Sequence, residues 1–176
     1  MTIDELLRSS TATLASMRPV ATPPVAESRR SAYVHAGRMF YSAEAHEVTT
    51  ILGSCVAVCV WDSVTGVGGL NHYMLPAAGQ QQSGPRFGTY AVPHLIEAVL
   101  QLGASRSRLR AKLFGGACVL KAFQNKGGEL GLRNVAVARE LLAAERVPVV
   151  GEDVGGNSGR KLVFRTDDGL AMVRRL

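Results

Sequence analysis

Cys55 follows a Gly53-Ser54 turn at the head of the apolar run CVAVCVW, and His72 lies seventeen residues further on, inside GGLNHYMLP. A thiol has an ordinary pKa of about 8.5, so at neutral pH it gains as a nucleophile from an imidazole that takes its proton. The same imidazole can return that proton to a leaving group, which makes the pair suited to acyl transfer. Between the two residues, DSVTG supplies turn chemistry, and the flanking runs read as the strands of a hairpin. With Asp62 to Thr65 as the loop, Cys55 falls opposite His72, where Cβ atoms approach to about 4.5–5.5 Å. A bulge at Gly66 would displace this pairing by one residue.

Two further parts follow from the same chemistry. The backbone N–H groups of Ser54 and Cys55, in the turn, are candidates to hold an oxyanion. A third side chain must orient the imidazole, and both Thr49 and Thr50 lie in the strand that enters the turn. Spacing leaves both open.

The remaining cysteines and glycine pairs have plainer readings. Cys59 is on the strand face of Cys55 but about 13 Å away along an extended chain, too far to share a zinc ion or form a disulfide. Cys59 and Cys118 are read as core residues, with no metal site. GGA at 115–117 and GGN at 155–157 match neither nucleotide-binding pattern and are read as tight turns or close backbone approaches. His35, His46 and His94 show no partner spacing, and His94 is read as a residue at the edge of a helix stripe.

These groups need a scaffold. Val92, Leu95, Ile96, Val99 and Leu100 fall at helical spacing, with Pro93 near the start and Gly103 past the end. A second helix is expected from about Asn134 to Glu145, with Val135, Ala138 and Leu142 as its stripe and Asn134 as its N-cap. VPVV reads as a strand, and KLVFRTDDGLAMVRR as a hairpin turning at Asp167, Asp168 and Gly169. In the central strand Cys55, Ala57, Cys59 and Trp61 share one face and Val56, Val58 and Val60 the other. Both faces are apolar, which predicts a sheet covered on both sides in a layered α/β sandwich.

The chain has 176 residues, 47% of them hydrophobic, enough for the core of one domain. Residues 1–30, rich in Pro, Ala and Ser, read as a flexible leader in which only IDELLRS suggests a short helix; the domain is expected over 31–176. Three cysteines do not make a disulfide framework. Asp4 and Glu5 stand where a signal peptide would carry basic residues, so a soluble cytoplasmic protein is expected. The net charge of +6 points to acidic partners. The basic stretch RSRLRAK has the alternation of a solvated strand edge, and no nucleic-acid-binding pattern accompanies it.

LGSCVAVCVWD, GGLNHYMLP, AKLFGGA, LGLRN and GEDVGGNSGR occur in the order and at about the spacing of the CheD family, chemoreceptor glutamine deamidases of bacterial chemotaxis. From Tyr33 to the C-terminus the chain resembles that family. The resemblance implies a cysteine hydrolase, without metal or organic cofactor, that converts glutamines in the cytoplasmic region of methyl-accepting chemotaxis receptors to glutamates and also acts on glutamyl methyl esters. It implies Cys55 as nucleophile, His72 as its base, and Thr49, six residues before the cysteine, as the orienting threonine. It further implies an α-β-β sandwich resembling the deamidating domain of cytotoxic necrotizing factor toxins, recruitment to receptor arrays, and a CheC-type phosphatase as a second partner. Neither nucleic acid nor insertion into a membrane is expected.

Overall fold

In the computed structural model, which describes residues 29–79, 83–118 and 128–176, the chain forms an α+β sandwich of three layers. One sheet has the order β1-β3-β8-β9 and the other β2-β5-β4-β6-β7. The strands are β1 (Arg30–Tyr33), β2 (Arg38–Ser42), β3 (His46–Leu52), β4 (Val56–Asp62), β5 (Val67–His72), β6 (Arg110–Gly115), β7 (Val149–Val154), β8 (Arg160–Arg165) and β9 (Ala171–Arg175). Two helices, α1 (Gly88–Gln101) and α2 (Gly128–Ala144), cover the outer face of the five-stranded sheet.

Strand β4 is buried along its whole length, and its alternation divides the core in two. Val56, Val58 and Val60 pack with Leu95, Ile96, Val135 and Leu142 of the helices. Ala57, Cys59 and Trp61 pack with Val48, Leu52, Leu162 and Phe164 of the other sheet. The two apolar faces expected from sequence are therefore covered by different layers. Residues of one face lie two apart, so each layer draws on alternate positions of one strand.

The β4–β5 hairpin exists, but its register is two residues from that expected: Asp62 pairs with Val67 and Cys59 with Leu70. Asp62 ends the strand instead of opening the loop because its carboxylate is engaged. It accepts from Val64 N–H and Ser105 N–H and forms an ion pair with Arg108. Gly66 falls within the loop at φ +73, a value that favours glycine, and its N–H closes the turn on the Asp62 carbonyl. In this register His72 lies level with Ala57 and not with Cys55. Because the offset is even, His72 keeps the face that Cys55 and Ala57 share.

The basic stretch is not a solvated edge. Arg106–Arg108 forms a single 3-10 turn, and β6 runs inside the sheet between β4 and β7. Its charges are used internally: Arg106 pairs with Glu145, Arg108 with Asp62, and Lys112 donates to the Gly169 carbonyl over the Trp61 ring.

Helix α1 carries the expected stripe, with Val92, Leu95, Ile96 and Val99 buried. It begins at Gly88, which leaves Pro93 inside the helix. Helix α2 starts before Asn134, so that residue is a buried mid-helix side chain and no N-cap. The hairpin of β8 and β9 turns where expected, with Gly169 at φ +71. The domain takes in Arg29 and Arg30, just before its expected start: Arg29 forms a fork with Asp167 and Asp168, and Arg30 opens β1. The expected helix in IDELLRS lies outside the described residues. No helix among the described residues is long and apolar enough to cross a membrane.

Candidate active site

The site lies at one end of the sandwich, where β3 passes through Gly53, Ser54 and Cys55 into β4 and so crosses from one sheet to the other. All three carbonyls of this turn are held. Gly53 O accepts from Ala117 N–H, Cys55 O from Gly116 N–H, and Ser54 O from the Asn134 side-chain amide. Gly115 and Gly116 both have positive φ, and a Cβ on Gly115 would collide with the Cys55 carbonyl. The GGA run is therefore a close backbone approach that fixes the cysteine turn. The Ser54 and Cys55 N–H groups have no carbonyl acceptor among the described residues, and the Cys55 N–H lies against its own thiol.

Cys55 is half-buried and free. Burial pushes its thiol above the ordinary value, and a contact from its own backbone N–H acts against that rise. Cys59 is fully buried in the core, as expected. Cys118 is only half-buried, so the expectation of a core residue does not hold there; it lies where its N–H meets the Gly156 carbonyl, beside the glycine turns.

His72 is 4% exposed. Its Nδ1 lies 2.8 Å from the Thr50 hydroxyl, and that hydroxyl donates across 2.7 Å to the Val34 carbonyl. A threonine has one hydroxyl proton, and a carbonyl can only accept. Thr50 must therefore accept from His72, which fixes the proton on Nδ1 and leaves Nε2 with the lone pair. Nε2 is buried and has no partner among the described residues. Burial lowers the imidazole pKa, opposed by the Val34 carbonyl and assisted by His35, so the ring rests neutral and basic at Nε2.

The threonine that meets the ring is Thr50. Thr49, matched through the family resemblance, does not meet the ring: neighbouring residues of a strand face opposite ways, and Thr49 lines the outer face of the four-stranded sheet. Cys55 and His72 share a face on a cross-strand diagonal, where backbones are about 7–8 Å apart and side chains closer. No hydrogen bond joins them, since Nε2 is unpaired.

Asn134 is the residue that sequence reasoning missed. It is fully buried, and its amide nitrogen donates to both the Ser54 and the Met74 carbonyls, each at 3.0 Å. The backbone carbonyl of Asn134 accepts from the Tyr73 hydroxyl, while its side-chain Oδ1 is buried with no partner among the described residues. One side chain of α2 therefore ties the segment before Cys55 to the segment after His72. The available signal was a polar residue four positions before Ala138, on the buried stripe of the helix.

Arg160 gives a second brace. Its buried guanidinium pairs with Asp153 and donates to the carbonyls of Gly115 and Gly155. GEDVGGNSGR is thereby tied to the glycine run beneath the cysteine turn. His94 is exposed, stacks on the Tyr90 ring and sets its Nδ1 against the Tyr90 carbonyl.

The family described as CheD chemotactic sensory transduction matches residues 74–175, a segment that begins two residues after His72. The chain is 51% identical to the probable chemoreceptor glutamine deamidase CheD 1 of Anaeromyxobacter dehalogenans strain 2CP-C, over 84% of this chain and 86% of that protein. It is 41% identical to the probable chemoreceptor glutamine deamidase CheD of Trichlorobacter lovleyi, over 83% of this chain and 91% of that protein. The chain belongs to the CheD family. A match of 148 residues in a chain of 176 necessarily takes in the strands and turn that carry Thr50, Cys55, His72 and Asn134. The alignment to that relative thus spans the whole site, although the family-wide match begins just beyond His72.

Proposed function

We propose that this protein deamidates glutamine side chains of chemoreceptors, with Cys55 as nucleophile and His72 as general base and acid. The observation that carries this reading is the fixed tautomer of His72. A neutral imidazole with its proton locked on Nδ1 presents a basic Nε2 on the face of the free thiol.

The reaction needs only these groups. As the substrate carboxamide enters, Nε2 takes the thiol proton while Sγ bonds to the carboxamide carbon, and the carbonyl electrons move onto oxygen. The Ser54 and Cys55 N–H groups hold that oxyanion. On its collapse the C–N bond breaks and Nε2–H protonates the nitrogen, releasing ammonia and leaving a thioester. Water, losing a proton to Nε2, attacks the thioester carbon; the C–S bond breaks, the sulfur recovers a proton, and the product is a glutamate side chain. The same attack on a glutamyl methyl ester would release methanol instead. The raised thiol pKa and neutral ring mean that no thiolate–imidazolium pair stands ready at rest; the proton passes to Nε2 as Sγ attacks.

The test is incubation with a chemoreceptor cytoplasmic fragment and peptide mass spectrometry for glutamine-to-glutamate conversion, with ammonia release measured in parallel. Wild type should convert the fragment and Cys55→Ala should not. Conversion by Cys55→Ala at the wild-type rate would remove Cys55 as nucleophile.

A further inference from the structure

The outer face of the four-stranded sheet is not covered by either helix, and the part nearest the active site forms a depression of about 540 Å³. Thr49 and Ile51 line it from β3, Ser31 and Tyr33 from β1, and Lys161 and Arg174 from β8 and β9. Tyr33 and Ile51 are 49% and 50% exposed, large apolar surfaces to leave in water.

Ile51, Lys161 and Arg174 are register partners on three successive strands, so the two cations stand directly opposite each other. Like charges in that position destabilise a sheet. The neighbouring pair, Arg160 and Arg175, is also opposed, but Asp153 lies between them and forms an ion pair with each. Lys161 and Arg174 have no ion pair or hydrogen-bond acceptor among the described residues.

The depression lies close to the catalytic end. Ile51 is four residues before Cys55, so their Cα atoms are at most about 13 Å apart. Tyr33 packs edge-on against His35 at 4.8 Å, and the His35 carbonyl accepts from the N–H of Arg38, the register partner of His72.

We propose that this depression seats an acidic segment flanking the target glutamine in the protein substrate, with a carboxylate between Lys161 and Arg174 and an apolar side chain against Tyr33 and Ile51. The proposal rests on the deamidase reading above and adds to it a specificity site outside the reacting groups. A carboxylate there relieves the repulsion between the two cations, and its distance from Cys55 restricts which glutamines can reach the thiol.

The test uses the full chain, a chemoreceptor cytoplasmic fragment, and two readouts: ammonia-release kinetics, and binding of the fragment in a Cys55→Ala background. The double variant K161E/R174E should raise KM and weaken binding by about tenfold. It should leave kcat and the Cys55 alkylation rate unchanged, and it should lose most of the salt dependence of binding. The swapped pair K161R/R174K should retain wild-type values, which separates charge from folding. KM and affinity within twofold of wild type in the charge-reversed variant would overturn the proposal even if deamidation proceeds, as would a fall in kcat with altered alkylation. If wild type releases no ammonia yet binding still depends on both cations, the deamidase reading fails and the docking site stands.

Discussion

Thr50 Oγ1 accepts a hydrogen bond from His72 Nδ1 at 2.8 Å while it donates its own proton to Val34 at 2.7 Å. A neutral imidazole exists as two tautomers, and only one offers Nε2 as a base. Because the hydroxyl proton is already committed to a carbonyl, Thr50 selects that tautomer without becoming charged.

The role can be tested by shape and by hydroxyl separately. Thr50→Val preserves the volume and removes the acceptor, so kcat should fall by about tenfold or more. Thr50→Ser keeps the hydroxyl and should recover most of the loss. Thr49→Ala should leave the acid limb of the pH profile in place, because Thr49 does not touch the ring. An acid limb displaced by Thr49→Ala and not by Thr50→Val would return the orienting role to Thr49.

That pair of threonines shows what sequence could and could not convey. Alternation along β3 puts one threonine inward and one outward, but which faces the histidine depends on how a second sheet is laid over the first. The face shared by Cys55 and His72 was legible, because period two survives an even change of register. The register was not, because Asp62 is held in the strand by Arg108 and Ser105, residues more than forty positions away. Long-range pairing of this kind leaves no local trace. Asn134 was misplaced for a similar reason: at a presumed helix start it resembles a cap, and its two acceptors come from distant segments.

Protonation of His72 should limit activity on the acid side. Burial holds the His72 pKa below its ordinary value, so the base remains active to lower pH than a free imidazole, and the acid limb should lie below about 6.5. The Cys55 thiol is shifted upward, so alkylation by iodoacetamide in the absence of substrate should follow an apparent pKa above that of a free cysteine. An alkylation profile already flat from pH 6 upward would mean that a thiolate–imidazolium pair exists at rest, contrary to a protonated thiol beside a neutral ring. The same shift in His72 enters stability. The group is neutral in both folded and unfolded states above 6.5, so its contribution is fully present there and is lost as pH falls through the lower folded value. His72→Gln should therefore flatten the pH dependence of the melting temperature in that window.

Asn134 should act on catalysis through the backbone. Asn134→Ala leaves the Ser54 and Met74 carbonyls without their buried donor, at a cost of about 1–3 kcal/mol in stability. Asn134→Asp should be worse, since a carboxylate oxygen would replace a donor facing two carbonyls. Cys55 alkylation discriminates between a positioning role and a purely structural one. If Asn134 sets the cysteine turn, the alkylation rate and its pH midpoint should change in folded Asn134→Ala at temperatures well below melting. A wild-type alkylation profile in that variant would confine Asn134 to stability.

The Asp62–Arg108 clamp should contribute stability and leave catalysis alone, because it closes the far end of the hairpin from Cys55. Arg108 holds the buried Asp62 carboxyl well below the usual carboxylate range, with the Ser105 and Val64 N–H groups acting the same way. A depressed carboxylate stabilises the fold above its unfolded pKa, and that contribution is lost as pH falls through the folded value. Asp62→Asn should therefore cost about 1–3 kcal/mol at pH 7, a modest sum because Arg108 is itself partly exposed to water. Denaturant melts at pH 7 and at pH 3 would check this. The gap between wild type and variant should be full at pH 7 and should begin to narrow only below pH 4, where the unfolded carboxylate starts to protonate. A gap that is independent of pH down to the acid transition would assign the loss to packing at the turn and not to the charge on Asp62.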